Sequence, residues 1–419
     1  MDLIYKIRQS SWSGNEELIF SSLCVGIAVS LIFWPLLNSL LCIAIFAYWL
    51  LVSTKKFSFK DLGSRWVILF SLMFFISVIG IFYSSDLTGG LDELQKKSAL
   101  LLFPLVFGLS GIITPVVFRR TFAAFAWSTV AGCMLGVING IYVFIKNGTT
   151  DYFYGYNLVV LKNMQPFMLG LCCLLSLLYL MDKFLEARAN KSLLKKADIF
   201  VAIFLFFFLF LLGNRNILLT MSAFFIFYCY KVISKAVARF LLISSLGFLL
   251  VIAIFLNPYL HNQWNDLTDF SKENNIQLDS GETLGRPWGG KTIRLSIWKC
   301  SQDIIRKHWI AGVGTGDVQA ALQESYEKRK FYFASRYNTY NAHNQYIQET
   351  VAHGIIGLLI FLSCIFIPFS RCLRKKGNTI YSLFLLCFAV LCVTESMLEL
   401  NKGIVWYSFF NSIFMFRKI

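Results

Sequence analysis

Residues 198–231 read DIFVAIFLFFFLFLLGNRNILLTMSAFFIFYCYK, two apolar runs separated by Gly213-Asn214-Arg215-Asn216. A bilayer crossing needs about 20 mostly apolar residues, and each run is close to that length. The polar tetrapeptide leaves room only for a tight turn between two helices. The same pattern recurs along the chain. Twelve such runs are found, at 17–34, 36–53, 65–83, 98–113, 122–145, 165–181, 198–213, 216–231, 240–257, 345–369, 380–395 and 403–416. Composition agrees. Of 419 residues 57% are hydrophobic, 15% are charged and 42 are Phe. A soluble domain is about half apolar and a quarter charged, and one aqueous core stops growing near roughly 250–300 residues. An ordinary soluble enzyme, a disordered chain and a small disulfide scaffold are therefore excluded. The expectation is an all-α membrane protein of about twelve transmembrane helices. The first run does not read as a cleavable signal peptide, because Trp34-Pro35 leads directly into the second.

The net charge is +16, from 39 Lys and Arg against 23 Asp and Glu. On a soluble domain this would raise nucleic acid as a partner. Here it follows the loops, so no nucleic acid is expected. Twelve spans put alternate loops on alternate sides. One side collects 22 basic residues, in seven groups from Lys6 and Arg8 to Arg417 and Lys418. The short loops opposite carry Lys96, Lys97, Lys146, Lys162, Arg215 and Lys402. The positive-inside rule then puts both termini in the cytoplasm. The chain divides into 1–257 with nine spans, an outer loop or cap at 258–344, and 345–419 with three more spans. Ten of the eleven Cys lie in or beside spans, and the cap holds only Cys300, so it cannot close an internal disulfide. His261, His308, His343 and His353 lack metal-ligand spacing, and neither metal nor cofactor is expected.

A structureless loop of nearly ninety residues is improbable, so 258–344 reads as a small folded lid. Its first half, to Gly289-Gly290, is polar and turn-rich. A helix-like pattern follows, with Ile293, Ile297, Ile304 and Ile305 near one face, ending near His308-Trp309. Gly312-Val313-Gly314-Thr315-Gly316-Asp317 comes next and invites a phosphate-loop reading. It lacks the Lys-Ser/Thr that such a loop requires. The alternative is a tight turn with glycines at positive φ and Asp317 as an N-cap. A second amphipathic stretch, Val318 to Arg329, and an aromatic segment over 326–340 complete the loop. Asn341-Ala342-His343-Asn344-Gln345 is the densest polar cluster at a membrane boundary. It either solvates a helix end or presents His343 as a proton acceptor, with Ile347, Thr350 and Gly354 on the same helix face. Arg215 is either a snorkelling cation at an outer turn or a functional charge, the default for a costly intramembrane Arg. Glu395 and Glu399 are counter-charges for an Arg or solvated ends. Arg, His and acidic groups near the headgroups would suit a lipid-linked pyrophosphate, since Arg binds phosphate in bidentate geometry.

Arg294-Leu295-Ser296-Ile297-Trp298, the Gly312–Asp317 run, and Asn341-Ala342-His343-Asn344-Gln345-Tyr346-Ile347-Gln348 with Gly354-Ile355-Ile356-Gly357 together resemble the O-antigen ligase and O-antigen polymerase superfamily. The resemblance implies a GT-C-like fold with a large periplasmic loop containing short helices. It implies a metal-independent inverting glycosyltransferase of the bacterial inner membrane. The donor would be an undecaprenyl-pyrophosphate-linked glycan. The acceptor would be a lipid A–core sugar for a ligase, or another lipid-linked repeat for a polymerase. By position, Arg215, Arg294 and His343 match the family's catalytic residues, and Glu395 stands near a late acidic position. Substrate contacts are expected at Asn341, Asn344, Trp298, Tyr337, Tyr340 and Glu395, with the aromatics stacking on sugars. The expectation leans to ligase over polymerase, by analogy with the motif context. A transporter or flippase for lipid-linked sugars is the rival of another class. Transporters usually carry repeat symmetry between halves, and here the large loop is inserted once.

Overall fold

The computed structural model describes residues 13–53, 64–193, 195–268, 290–374 and 379–417. Among the described residues there are sixteen α-helices and no strand. In chain order they are α1 (Gly14–Phe33), α2 (Pro35–Ser53), α3 (Arg65–Ile81), α4 (Leu87–Lys97), α5 (Ala99–Ser110), α6 (Pro115–Asn147), α7 (Pro166–Ala189) and α8 (Lys196–Leu212). Then come α9 (Arg215–Val232), α10 (Ala236–Leu256), α11 (Pro258–Thr268), α12 (Gly290–Lys307), α13 (Val318–Lys328), α14 (Gln345–Arg374), α15 (Thr379–Leu391) and α16 (Asn401–Phe416). Every apolar run read from the sequence is helical over most of its length, the tenth with a break at Gly354 and the eleventh ending at Leu391. Among the described residues six helices are long and apolar enough to cross a membrane: α1, α2, α6, α7, α10 and α14. The chain is an all-α membrane protein.

Local chemistry sets the helix ends. Ser13 and Glu16 form a reciprocal capping box at α1, with Ser13 N–H donating to Glu16 Oε2 at 2.7 Å. Thr114 accepts from Val117 N–H ahead of Pro115, and Asn214 accepts from Ile217 N–H. Gly111, Gly148 and Gly213 close helices in the left-handed conformation. Two helices go beyond the sequence reading, α4 and α11. Residues 258–268, expected as polar turns, are helical. Both segments are short, and their apolar content is too low for the span criterion. Residues 269–289 of the expected turn-rich half lie outside the described residues.

The helices cluster into two compact units, one from the described residues of 1–48 and 112–264, the other from those of 49–111 and 265–417. In the first, α6 packs on α1, α7 and α8. Its interior holds the stacked rings of Phe118 and Phe122 with Tyr179 beside them. α10 buries Leu246 and exposes Phe240, Phe248 and Phe255, an outward apolar surface suited to lipid. In the second unit α3 packs on α5 and α14, and α16 packs on α5. Three buried hydroxyls return to the preceding turn: Ser77 to Met73 O, Ser176 to Cys172 O and Thr129 to Phe125 O. That satisfies them where no water is at hand.

Residues 290–344 fold into a cap seated on α14. Ile297, Cys300, Ile304, Val318, Leu322, Tyr326 and Phe331 form one core with Val351 and Ala352 of α14. The isoleucine face read from the sequence is this core, with Ile293 and Ile305 at its edge. The aromatic expectation needs correction, because Tyr326 and Phe331 are fully buried core residues and cannot stack on a sugar.

The cap is spliced into a break in α14. At Gly354 the backbone leaves the helix, with φ 62° and ψ −157°. A regular helix would pair Ile355 N–H with Val351 O. Instead Ile355 N–H donates to Trp309 O at 2.8 Å, while Val313 and Gly314 N–H donate to Val351 O and Ala352 O, each at 2.9 Å. The turn after α12 thus supplies the partners that the broken helix lacks, which keeps backbone polar groups paired inside a membrane protein. Close approach requires glycine on both sides. A Cβ on Gly354 would stand 2.1 Å from Ile310 O, and one on Gly312 would stand 2.4 Å from Ala352 O. Gly354 therefore ends the first segment of α14 and does not continue the face expected for His343, Ile347 and Thr350.

Candidate functional site

Three of the charged groups singled out in the sequence meet in the second unit. Arg294 lies on the first turns of α12. Its Nε donates to Thr394 O at 3.1 Å, and its Nη2 pairs with Glu395 Oε1 at 2.8 Å. The other Glu395 oxygen, Oε2, lies 3.7 Å from His343 Nδ1. Side-chain exposure is 25% for Arg294, 13% for Glu395 and 28% for His343, so the carboxylate is the shielded member and the two partners reach solvent. Arg294 and Glu395 are a hundred residues apart in sequence. The Cys392–Glu399 turn between α15 and α16 brings the carboxylate to the cap.

The backbone aims His343. The residue precedes α14 and takes φ 45°, a conformation that costs an L-residue about 1 kcal/mol or more. Asn341 Oδ1 accepts from His343 N–H at 3.0 Å and fixes that turn. The imidazole packs edge to face on Tyr340, with centroids 5.3 Å apart. Asn344 is the N-cap of α14: its Oδ1 accepts from Ile347 N–H, and its own N–H donates to Ser396 Oγ. Trp298, one turn after Arg294, donates its indole N–H to Ala342 O at 3.1 Å. Asn341, Asn344 and Trp298, expected as substrate contacts, thus also hold the histidine loop in place. The Tyr337 side chain lies outside the described residues.

Glu399 faces elsewhere. It stands 3.6 Å from Lys97 Nζ, and Lys97 is buried at the end of α4. Of the two late acids, Glu395 is therefore the one at the Arg–His cluster. Nothing in the sequence marked Thr394 or Ser396, whose contributions come from a carbonyl and a hydroxyl placed by a turn.

The glycine run is a turn. Gly312 and Gly314 have φ 71° and 98°. The N–H groups of Val313, Gly314, Thr315 and Gly316 donate to Val351 O, Ala352 O, Gly80 O and Ser84 Oγ. With its amides committed inside the protein, the run offers no phosphate cradle. Asp317 sits at the N-cap position of α13 without capping it. Its carboxylate accepts from Ser85 and Asp86 N–H instead, at 2.7 and 2.8 Å, just ahead of α4.

Arg215 belongs to the first unit and opens α9. Its Nη1 donates to Gln263 O at 3.2 Å, and Gln263 Nε2 donates back to Gly213 O at 3.3 Å. Asn257 donates to Phe210 O and Leu211 O from the start of α11. The Gly213–Asn216 turn is thereby clamped by α11, and Arg215 is half-buried beside it.

Chemically, a guanidinium, a shielded carboxylate and an imidazole form a linear set. The carboxylate on the Nδ1 side favours a proton on Nδ1 and leaves Nε2 as a proton acceptor. The guanidinium remains charged throughout and offers donors to an anion. Residues 200–362 match the family model described as O-antigen ligase, and this segment contains Arg215, Arg294 and His343. No curated protein matches the chain.

Proposed function

From the match of residues 200–362 to the O-antigen ligase family model, we propose that the chain is an O-antigen ligase-type glycosyltransferase. It moves a glycan from undecaprenyl pyrophosphate to a lipid A–core acceptor at the periplasmic face of the bacterial inner membrane. The observation that carries this reading is the convergence of Arg294, Glu395 and His343 at the cap end of α14.

In the proposed reaction Arg294 neutralises the donor diphosphate, and Arg215 is a further catalytic residue by the family resemblance. The acceptor hydroxyl attacks the anomeric carbon as the bond to the diphosphate oxygen breaks. Undecaprenyl pyrophosphate leaves with the bonding electrons, and the configuration inverts. The hydroxyl proton passes to His343 Nε2, and Glu395 balances the resulting imidazolium through Nδ1. Pyrophosphate is a good leaving group, so catalysis rests on charge stabilisation and one base. Both termini are cytoplasmic in this reading.

The test is the lipopolysaccharide ladder of a strain lacking this chain, complemented with wild type or with His343→Ala. Bare core with glycan accumulating on the carrier, restored by wild type and not by His343→Ala at equal membrane level, supports the reading. Core carrying single repeats would identify a polymerase instead. A normal ladder in the deletion strain would contradict both.

A further inference from the structure

Beneath the site, α14 buries two ionisable side chains that the proposed reaction does not use, Glu349 and His353. Their hydrogen-bond partners fix how many protons they hold. Thr315 has one hydroxyl proton and gives it to Ser77 O, 2.7 Å away, a carbonyl that can only accept. Thr315 Oγ1 also lies 3.1 Å from His353 Nε2. With the hydroxyl proton already committed, Nε2 must be the donor in that contact. On the other side His353 Nδ1 lies 3.0 Å from Glu349 Oε2, a separation that requires one proton between them. The orientation of the Gln345 amide is fixed as well. Leu398 N–H donates to its Oε1 at 2.7 Å, so its Nε2 donates to Glu349 Oε1 at 2.9 Å. The pair is therefore net neutral in either form, imidazolium with carboxylate or imidazole with carboxylic acid. Other charged groups near it are Lys97 and Glu399, which pair with each other at 3.6 Å.

We infer that Glu349 and His353 form a buried pair sharing one proton, which positions the Arg294–Glu395–His343 site by locking Gln345 against the Cys392–Glu399 turn and His353 against the cap's glycine turn. Gln345 is the connecting piece. It adjoins Asn344, its N–H donates to Cys392 O at 2.8 Å, and its side chain holds Leu398. That turn carries Glu395. Glu349 and His353 are thus positioning residues, and their catalytic relevance rests on the glycosyltransferase reading above.

Proton counting defines the test. Glu349→Gln can accept from Gln345 through its carbonyl and donate through its NH2 to His353 Nδ1, so every hydrogen bond survives without the charge. Glu349→Leu fills similar space and strands both partners. Hydrogen exchange at the peptide covering 392–400 is read by mass spectrometry on the full-length protein in nanodiscs, alongside glycan transfer in the complemented deletion strain. We expect Glu349→Gln to match wild-type protection and transfer within about threefold. Glu349→Leu should exchange in that peptide, and lose transfer, by about tenfold or more, the scale set by losing buried hydrogen bonds. Wild-type protection in Glu349→Leu overturns the proposal. So does Glu349→Gln behaving like Glu349→Leu, since charge and not hydrogen bonding would then be at work. If wild type fails to restore transfer, the glycosyltransferase reading fails, and the exchange data still decide the positioning claim.

Discussion

Replacing Gly354 by alanine attacks the joint between cap and membrane helix. At φ 62° and ψ −157° the residue occupies a region open essentially to glycine, and an L-residue there costs about 1–3 kcal/mol. The new Cβ would also stand 2.1 Å from Ile310 O, so the Trp309–Gly314 turn must move. Three hydrogen bonds depend on that turn: Ile355 N–H to Trp309 O, Val313 N–H to Val351 O and Gly314 N–H to Ala352 O. At about 1 kcal/mol each their loss brings the total to about 4–6 kcal/mol, a large part of a typical folding free energy of about 5–15 kcal/mol. Gly247→Ala is the control. It sits within α10 with nothing within 4 Å of its Cβ, and helix propensity favours alanine there by up to about 1 kcal/mol. Thermal unfolding of detergent-extracted protein, followed by fluorescence-detected size exclusion, should show a clearly lower midpoint for Gly354→Ala and an unchanged or slightly higher one for Gly247→Ala. Equal midpoints for Gly354→Ala and wild type would refute the splice.

Other substitutions probe the site and the cap. Arg294→Lys should keep the charge yet lose one of the contacts to Thr394 O and Glu395, lowering glycan transfer about tenfold or more; Glu395→Gln should do the same while membrane levels stay unchanged. In the cap, Arg329 makes two bonds to Asp303, and this hydrogen bonding holds the Asp303 carboxyl below its ordinary range. A carboxylate with a lowered folded value stabilises the fold above its unfolded value of ~3.9 and loses that contribution as pH falls through the folded value. Asp303→Asn should therefore cost under about 1 kcal/mol at neutral pH, and the difference in unfolding midpoint from wild type should vanish as pH falls below that range. All eleven cysteines are buried, and burial pushes the Cys300 thiol up to about 12. Intact cells should thus give almost no labelling of wild type by an impermeant maleimide. Lys328→Cys should label from outside and Arg374→Cys should not, both positions being exposed; the reverse pattern would invert the proposed topology.

The spans were legible because lipid imposes a requirement that no packing detail can relax, a continuous apolar run of sufficient length. The runs on either side of Arg215 became α8 and α9 with ends within a few residues of the reading. The short helices α4 and α11 escaped because lipid imposes no such rule on them. In α4 the pattern is inverted, with Leu87 and Leu91 exposed and Lys97 buried. The helix break at Gly354 also left no trace, since glycine is common within membrane helices and the break depends on a turn some forty residues earlier. At the site, Arg294 and His343 stood out by motif. Their common partner Glu395 is marked only by a looser match, because Glu395 and Glu399 are equivalent until the turn between α15 and α16 directs one to Arg294 and the other to Lys97. Glu349 and His353 are ionisable groups inside a span, a signal the sequence does carry. No motif accompanies that pair, and the spacing of the four histidines points to no metal site.

The central claim is tested most directly with purified protein reconstituted in nanodiscs with an undecaprenyl-pyrophosphate-linked glycan and a lipid A–core acceptor. Core-linked glycan and free undecaprenyl pyrophosphate are measured together for wild type and His343→Ala. The account predicts equal amounts of the two products from wild type and neither from a folded His343→Ala protein. Core-linked product from His343→Ala at the wild-type rate, or none from wild type with both substrates present, would contradict it.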